Sequence, residues 1–463
     1  MSGYLHQLDK LKSYFDSGVT RGYSFRKEQL QKLKQALLKY EKELYGALQS
    51  DLRKNVEESW ITEIGFVINE INYSLNHLRE WMKPERVSTN LLNFPSKSVV
   101  LKEPLGVALI IGPWNYPLQL LFSPLVGAIA AGNCVVLKPS EFAPATASVI
   151  EKIVAETYSN EYILFVNGDG SVVVPALMKQ FRFNHVFFTG STSIGKKIYQ
   201  AAAEQVIPVT LELGGKSPCV IEGDANLKVA ARRIALTKFS NAGQMCVAPD
   251  YLLVHRSVHA DFVSFLKRYI ADFFSSDPST DYNYGKIINE KQFDRLTQWM
   301  KEGEVIHGGK HQRETLYIEP TLVEIPAAKS GPKNPLLSEE IFGPILPILP
   351  FDKFEEAKAI INRNPDPLAF YVFTSDVNIE KKWLDAISFG GGCINNASWH
   401  LTNHHLPFGG RGNSGFGNYH GRNSFEVFSH RKAIMKTPTW FDPAIKYPPF
   451  KGRLGLFKKI TGR

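Results

Sequence analysis

Leu30, Leu33, Leu37 and Leu38, followed by Leu44 and Leu48, recur at helical spacing with charged residues between them. This pattern predicts an opening of amphipathic helices over residues 24–82. From Val99 the pattern changes to short β-branched runs, VALIIG, CVVLKPS, ILFVNG, HVFFTGS and PVTLELGG. Helical stretches separate them, among them ATASVIEKIVAETY and residues 196–205. Strands alternating with helices predict βαβ units and a parallel sheet with right-handed crossovers. A second alternating set, SPCVIEG, YLLVHR, PILPILPF and AFYVFTS, starts near Ser217 and predicts a second α/β domain. The most apolar stretch, residues 117–137, approaches the roughly 20 residues of a membrane helix. Gln119, Ser123, Pro124, Gly132 and Asn133 interrupt it, so it reads as a buried helix ending at Gly132 and a strand over 134–137.

A chain of 463 residues is long enough for two or three domains, and 44% hydrophobic with 21% charged residues excludes disordered, collagen-like and coiled-coil readings. The four cysteines, Cys134, Cys219, Cys246 and Cys393, are too scattered for a disulfide framework and imply a reducing compartment. The N-terminal MSGYLHQLDKLKSYF lacks the unbroken apolar stretch of a signal peptide, so a cytoplasmic location is expected. The net charge of +9 suggests an anionic partner until its position is considered. From Arg431 onward nine basic residues face one acid, Asp442, and the rest of the chain is close to neutral. That distribution gives no footprint for nucleic acid on the body of the protein.

Three motifs invite over-reading. Residues 190–196, GSTSIGK, follow an apolar run and fit a phosphate-binding loop, but Lys197 stands where Ser or Thr would hold Mg²⁺. What survives is a glycine- and serine-rich helix start whose N–H groups suit a nucleotide phosphate. Gly410, Gly412 and Gly415 spell GxGxxG, yet no strand precedes them and no good helix follows, so the match reads as an accidental glycine loop. His400, His404 and His405 lack an acidic neighbour at ligand spacing and read as loop packing, and no metal site is expected.

Three residues carry chemistry. Cys246, in NAGQMCVAPD, sits where a helix gives way to a loop, a place where a thiol can face a cleft and have its pKa tuned. Cys134 and Cys219 lie in apolar strands and read as small core residues. Glu212 ends an apolar strand before two glycines, so it is either structurally paired or kept for proton transfer. Asn115, between prolines in IIGPWNYP, holds its amide on a rigid turn where it can stabilise an oxyanion.

Together these segments resemble the aldehyde dehydrogenase superfamily. The resemblance runs from about residue 20 to 440 and rests on seven stretches in order. They are GPWNYP (112–117), KPSE (138–141), FTGSTSIG (188–195), LELGGKSP (211–218), GQMC (243–246), EEIFGP (339–344) and LPFGGRGNSGFGNYHG (406–421). The closing YHGRNSFEVFSHRKA is similar to the class 3 branch, whose members act on medium-chain, long-chain and aromatic aldehydes.

The resemblance implies an α/β fold of two Rossmann-like, doubly wound domains with a small bridging and oligomerisation segment. Residues 1–82 and 101–208 would form the dinucleotide-binding domain and 209–410 the catalytic domain. Residues 83–100 and 411–440 would bridge, and 441–463 would be a basic tail. It makes Cys246 the nucleophile, Glu212 the general base and Asn115 an oxyanion donor, partnered by the Cys246 backbone N–H. The cofactor is NAD, with NADP as a second possibility. Lys138 and Glu141 would meet the adenosine ribose, and Gly190, Ser191 and Gly195 the pyrophosphate. Glu340 and Phe342 would hold the nicotinamide end, and Trp114 joins this cofactor set. A carboxylate at Glu141 would repel a 2′-phosphate and favour NAD. A homodimer is implied as well. Asn396 departs from an aspartate common in class 3 chains, and Cys393 puts a second thiol near the expected substrate tunnel.

A CoA-acylating or reductive relative would need no water activation, and Glu212 counts against it. A silent scaffold of the same fold is disfavoured because the catalytic positions are intact. The tail KGRLGLFKKITGR mixes apolar and basic residues and is too short to span a bilayer. It reads as an arm on a partner subunit or as a weak contact with an anionic membrane surface.

Overall fold

The chain opens with helices α1 (Ser2–Asp16), α2 (Tyr23–Lys39), α3 (Glu41–Leu52), α4 (Val56–Ser59) and α5 (Gly65–Trp81), in a computed structural model that describes residues 2–462. Leu30, Leu33, Leu37, Leu44 and Leu48 are fully buried, as their spacing requires. Leu38 falls about 100° off that face and is exposed. Between α4 and α5 the helix widens into one π turn, Trp60–Ile64, which carries the fully buried Glu63.

After β1 (Glu85–Val87) and β2 (Lys97–Pro104), a parallel sheet is built from β3 (Val107–Ile111), β4 (Cys134–Lys138), β5 (Ile163–Phe165), β6 (His185–Gly190) and β7 (Val209–Leu213). The crossovers are α6 (Gln119–Ala131), α7 (Pro144–Thr157), α8 (Gly170–Gln180) and α9 (Thr192–Ala203). Strands β3 and β4 are buried at every position because helices cover both faces of the sheet. Helix α6 is buried along its whole length and ends at Gly132, which is left-handed at φ 92°. The order β7-β6-β3-β4-β5 reverses between β3 and β6, which opens a crevice at the C-terminal ends of those two strands.

A second, seven-stranded sheet begins with β8 (Pro218–Ile221), which α10 (Leu227–Phe239) follows. It contains β9 (Tyr251–His255) and β10 (Glu304–His307); a separate two-stranded pair, β11 (His311–Gln312) and β12 (Tyr317–Ile318), comes next in the chain. Strands β13 (Thr321–Glu324), β14 (Ile345–Phe351), β15 (Ala369–Phe373) and β16 (Gly391–Ile394) complete the larger sheet in the order β10-β13-β14-β9-β8-β15-β16. Only the β10–β13 pair is antiparallel.

The expected boundaries need two corrections. Strand β7 falls after the 208/209 division, yet it pairs with β6 from Val186↔Val209 to Gly190↔Leu213 and belongs to the first sheet. The expected bridging segment 411–440 also divides. Its β17 (Gly415–Phe416) adds an antiparallel edge to β7, and only β18 (Ser429–Lys436) joins β1 and β2 in a separate three-stranded sheet. Backbone pairing decides both cases, and the hydrophobic pattern does not show which neighbour a strand selects. Beyond β18 the tail is largely exposed and carries one short α-helix, Leu454–Ile460, and among the described residues no helix is long and apolar enough to cross a membrane.

Candidate active site

Asn115 stands on the turn between β3 and α6, at the sheet's reversal point. Its side chain is buried, and Nδ2 donates to the Gln244 carbonyl at 3.0 Å. Its own carbonyl accepts from Lys54 Nζ at 3.0 Å and from Asn241 Nδ2 at 2.9 Å. The turn is therefore tied both to the opening helices and to the loop that carries Cys246.

That loop is backbone-strained. After α10, Asn241 and Ala242 both have φ 50° and Gly243 has φ 73°. A non-glycine residue in this region costs on the order of 1–3 kcal/mol, which surrounding bonds must offset. The Asn241 N–H donates to Glu58 Oε1 at 3.0 Å. Gln244 is fully buried, donating to the carbonyls of Asn241 and Lys286 at 3.0 and 2.9 Å and accepting from the Ile288 N–H at 3.0 Å. A side chain at Gly243 would overlap the Gly343 carbonyl, so glycine permits the contact between this loop and the segment holding Phe342.

Cys246 follows in a turn and is half-buried. Burial, then the charges of Glu340 and Glu212, push its thiol up to about 12. Glu212, on β7, is buried with neither carboxylate oxygen hydrogen-bonded, and burial raises its pKa well above the ordinary value. Of the two readings open at the sequence level, structural pairing is thus absent. Glu212 lies opposite Thr189 on β6 and Gly415 on β17.

Glu340 and Phe342 are positioned by buried charge. Lys216 donates to the Leu336 carbonyl at 2.7 Å and pairs with Asp250, whose carboxylate accepts from the Ile341 N–H at 3.1 Å. Arg295 donates to the Ile341 carbonyl at 2.6 Å and to that of Glu340 at 3.3 Å. Burial and the Asp250 charge raise the Glu340 carboxyl to about 8, against the pull of the Gly215 N–H, Lys216 and Arg295. Phe342 is left-handed at φ 49° and meets Trp114 edge to face at 5.3 Å. A cavity of about 280 Å³ joins Glu340 to Gly214 and to Thr192 at the start of α9.

The remaining cofactor candidates form two groups. Gly190 ends β6, Ser191 precedes α9 without capping it, and Gly195 packs so closely on Leu213 that a side chain would come within 2.5 Å. At the end of β4, the buried Lys138 bonds Glu141 Oε2 at 3.0 Å, while the Gly170 N–H reaches Oε1 at 3.1 Å. Partial burial opposes ionisation of Glu141, but backbone N–H groups and the Lys138 ammonium hold its carboxyl below the usual range.

Two of the three histidines pack against helix α5. His404 Nδ1 sits 2.9 Å from the buried Glu70 and stacks on Tyr73, His405 faces the Tyr73 hydroxyl, and His400 stacks on Phe408. Cys393 Sγ lies 3.5 Å from His400 Nδ1. Lys54, Glu63, Asn241, Gln244, Lys216, Asp250 and Arg295 were not singled out from the sequence. Asn241, Gln244 and Asp250 lie in the stretch quoted around Cys246 and Lys216 lies in LELGGKSP, whereas spacing gives no signal for Lys54, Glu63 and Arg295.

The chain matches the aldehyde dehydrogenase family over residues 17–434. It is 44% identical to the 4,4'-diaponeurosporen-aldehyde dehydrogenase of Staphylococcus aureus, with 96% of each chain covered. It is 40% identical to the rat aldehyde dehydrogenase named dimeric and NADP-preferring, covering 98% of this chain and 99% of that one. A solved structure described as the substrate-bound state of Staphylococcus aureus AldH superposes with a TM-score of 0.95 at 43% identity, covering 98% and 99%. The chain thus belongs to the aldehyde dehydrogenase family, on its class 3 branch, as an NAD(P)-dependent oxidoreductase that converts aldehydes to carboxylic acids.

Proposed function

We propose that Cys246, Glu212 and Asn115 carry the reaction, and that the substrates are medium- or long-chain aliphatic or aromatic aldehydes. The observation that carries this reading is Glu212: a buried carboxylate with both oxygens free of partners, close enough to Cys246 to raise its thiol. Cys246 sulfur bonds to the aldehyde carbon as its proton passes to solvent water, and the carbonyl π pair moves to oxygen. One Asn115 N–H is committed to Gln244, which leaves the second, with the Cys246 backbone N–H, to hold that oxyanion. NAD(P), when bound, would supply the acceptor for the hydride that this carbon loses. The oxidised carbon stays on sulfur as a thioester. Glu212 then takes a proton from water as the water oxygen adds, and gives it to sulfur as the C–S bond breaks, releasing the acid and the thiol.

The residues present fit a dinucleotide. The uncapped start of α9 offers backbone N–H groups to phosphates, with Gly190, Ser191 and Gly195 around it. Lys138 and Glu141 suit a ribose, while Trp114, Glu340 and Phe342 suit the nicotinamide end. The ionised Glu141 supports a preference for NAD over NADP. The first sheet would bind the cofactor and the second would present the cysteine.

Four free cysteines suit a reducing, cytoplasmic setting. A homodimer is supported by the three-stranded sheet, where Val87, Ile434 and Met435 are exposed, and by the exposed Leu91 and Phe94 between β1 and β2. In the tail, exposed Phe450, Leu454, Leu456 and Ile460 lie among Lys451, Arg453, Lys458 and Lys459, which suits weak contact with an anionic membrane surface. Co-sedimentation with anionic vesicles before and after deleting residues 447–463 tests that contact.

The deciding experiment follows NAD reduction with aldehydes from short aliphatic to long-chain and aromatic, beside Cys246→Ser and Glu212→Gln. Wild type should turn over, Cys246→Ser should be inert, and Glu212→Gln should give one burst and then stall. Steady turnover by either variant would overturn the assignment. If wild type responded only when CoA was supplied, the acylating reading would replace it.

A further inference from the structure

We propose that Lys54 and Glu63 form a positioning pair that sets the register of the oxyanion turn against the cysteine loop. The inference rests on Asn115 and Cys246 acting as proposed above.

Both side chains are completely buried and paired at 2.7 Å. The Lys54 ammonium uses three directions. It donates to Glu63 Oε1, it donates to the Asn115 carbonyl at 3.0 Å, and it lies 3.8 Å from the centre of the Tyr116 ring. Glu63 is equally committed, because its other oxygen accepts from the N–H groups of Leu118 and Gln119 at 3.2 and 2.9 Å. Those N–H groups open α6, so the carboxylate fixes the helix that begins just after Asn115 and sits at its positive end. The pair therefore grips the turn at the Asn115 carbonyl and again where α6 begins.

The grip extends to the nucleophile loop through one carbonyl. The Asn115 oxygen that receives Lys54 also receives Asn241 Nδ2, and Asn241 is the first left-handed residue of the strained turn before Cys246. Asn241 is held from its other side by Glu58 of α4. Two segments far apart in the chain thus meet the same short stretch, residues 54–63, at the point where their spacing decides whether the oxyanion donors fit the reacting carbon.

A buried ion pair is a weak source of stability, since an apolar or neutral pair of similar shape often serves as well. Its geometry here serves alignment, and a misplacement of about 1 Å in such a site can lower the rate roughly a hundredfold.

Lys54→Met alone leaves Glu63 buried and unpaired and can fail to fold, so the informative variant is Lys54→Met with Glu63→Gln, which removes both charges. Its melting temperature, NAD affinity by fluorescence, kcat and KM for an aldehyde, and hydrolysis of 4-nitrophenyl acetate, which needs the thiol, the oxyanion donors and Glu212 but no hydride transfer, are compared with wild type. The inference expects a folded protein with NAD affinity and aldehyde KM within about twofold. It also expects kcat and ester hydrolysis both lowered roughly tenfold to a hundredfold. A double variant that keeps wild-type kcat, or one that loses NAD affinity and kcat together, overturns it. If the double variant does not fold, Glu63→Gln alone is measured in the same way under the same criteria. Asn115→Ala and Cys246→Ser run alongside: full activity in either sinks the proposed chemistry, whereas their loss with an unaffected double variant sinks only the Lys54–Glu63 inference.

Discussion

Gly415 lies directly opposite Glu212 in the antiparallel β17–β7 pair, with φ 117° and no room for a side chain against the Leu211 carbonyl. The glycine loop fixes the strand that carries the unpartnered carboxylate. Gly417 adds a second close approach, to Thr210 on the same strand. Gly415→Ala should therefore separate β17 from β7, lower stability by about 1–3 kcal/mol, and lower the steady-state rate more than the first-turnover burst. Thermal melting and rapid-mixing kinetics read the two effects. An alanine variant with wild-type stability and rate would show that the edge strand does not hold Glu212.

This contact separates what is legible in the sequence from what is not. The strands read out because helices cover both faces and leave unbroken apolar runs such as VALII and CVVLK. Asn115, Glu212 and Cys246 stand out because each is a reactive residue type at a strand or helix end. The GxGxxG of residues 410–415 is correctly set aside as a dinucleotide fingerprint, but its purpose, allowing β17 to reach β7, depends on a partner some two hundred residues away. Lys54 and Glu63 are hidden for the same reason. In a charged helical region they resemble a solvated face, and only tertiary packing makes them a buried pair.

The cofactor preference can be tested at Glu141. Held ionised by Lys138 and backbone N–H groups, its carboxylate would face a 2′-phosphate as a like charge. Glu141→Gln should raise kcat/KM with NADP relative to NAD by about tenfold, the size of roughly 1.4 kcal/mol of relieved repulsion. An unchanged ratio would place the 2′-position elsewhere.

Stability toward acid should bear the mark of His185. Burial lowers its pKa to about 4, and its Nε2 lies 3.0 Å from the Thr210 hydroxyl. An unfolded histidine binds a proton near pH 6.5, whereas the folded one resists until about 4, so stability is lost as pH falls through that window. His185→Gln keeps a hydrogen-bonding side chain without the titration. Relative to this variant, wild type should lose up to about 1.4 kcal/mol per pH unit between pH 6 and 4.5 in denaturant melts. Parallel curves would mean that His185 titrates normally.

The resting thiol offers the sharpest test of the site's electrostatics. Burial comes first in holding Cys246 protonated, and the Glu340 and Glu212 charges follow. Glu340 itself reaches about 8, so it gains charge across the range in which alkylation is easily measured. Burial raises Glu212 well above the ordinary carboxylate value as well. Glu340→Gln should therefore speed iodoacetamide alkylation of Cys246 several-fold near pH 9, where the wild-type carboxylate is ionised, and much less near pH 7. Equal acceleration at both pH values would show that Glu340 acts on Cys246 by shape and not by charge, because a steric effect of the side chain does not depend on its protonation.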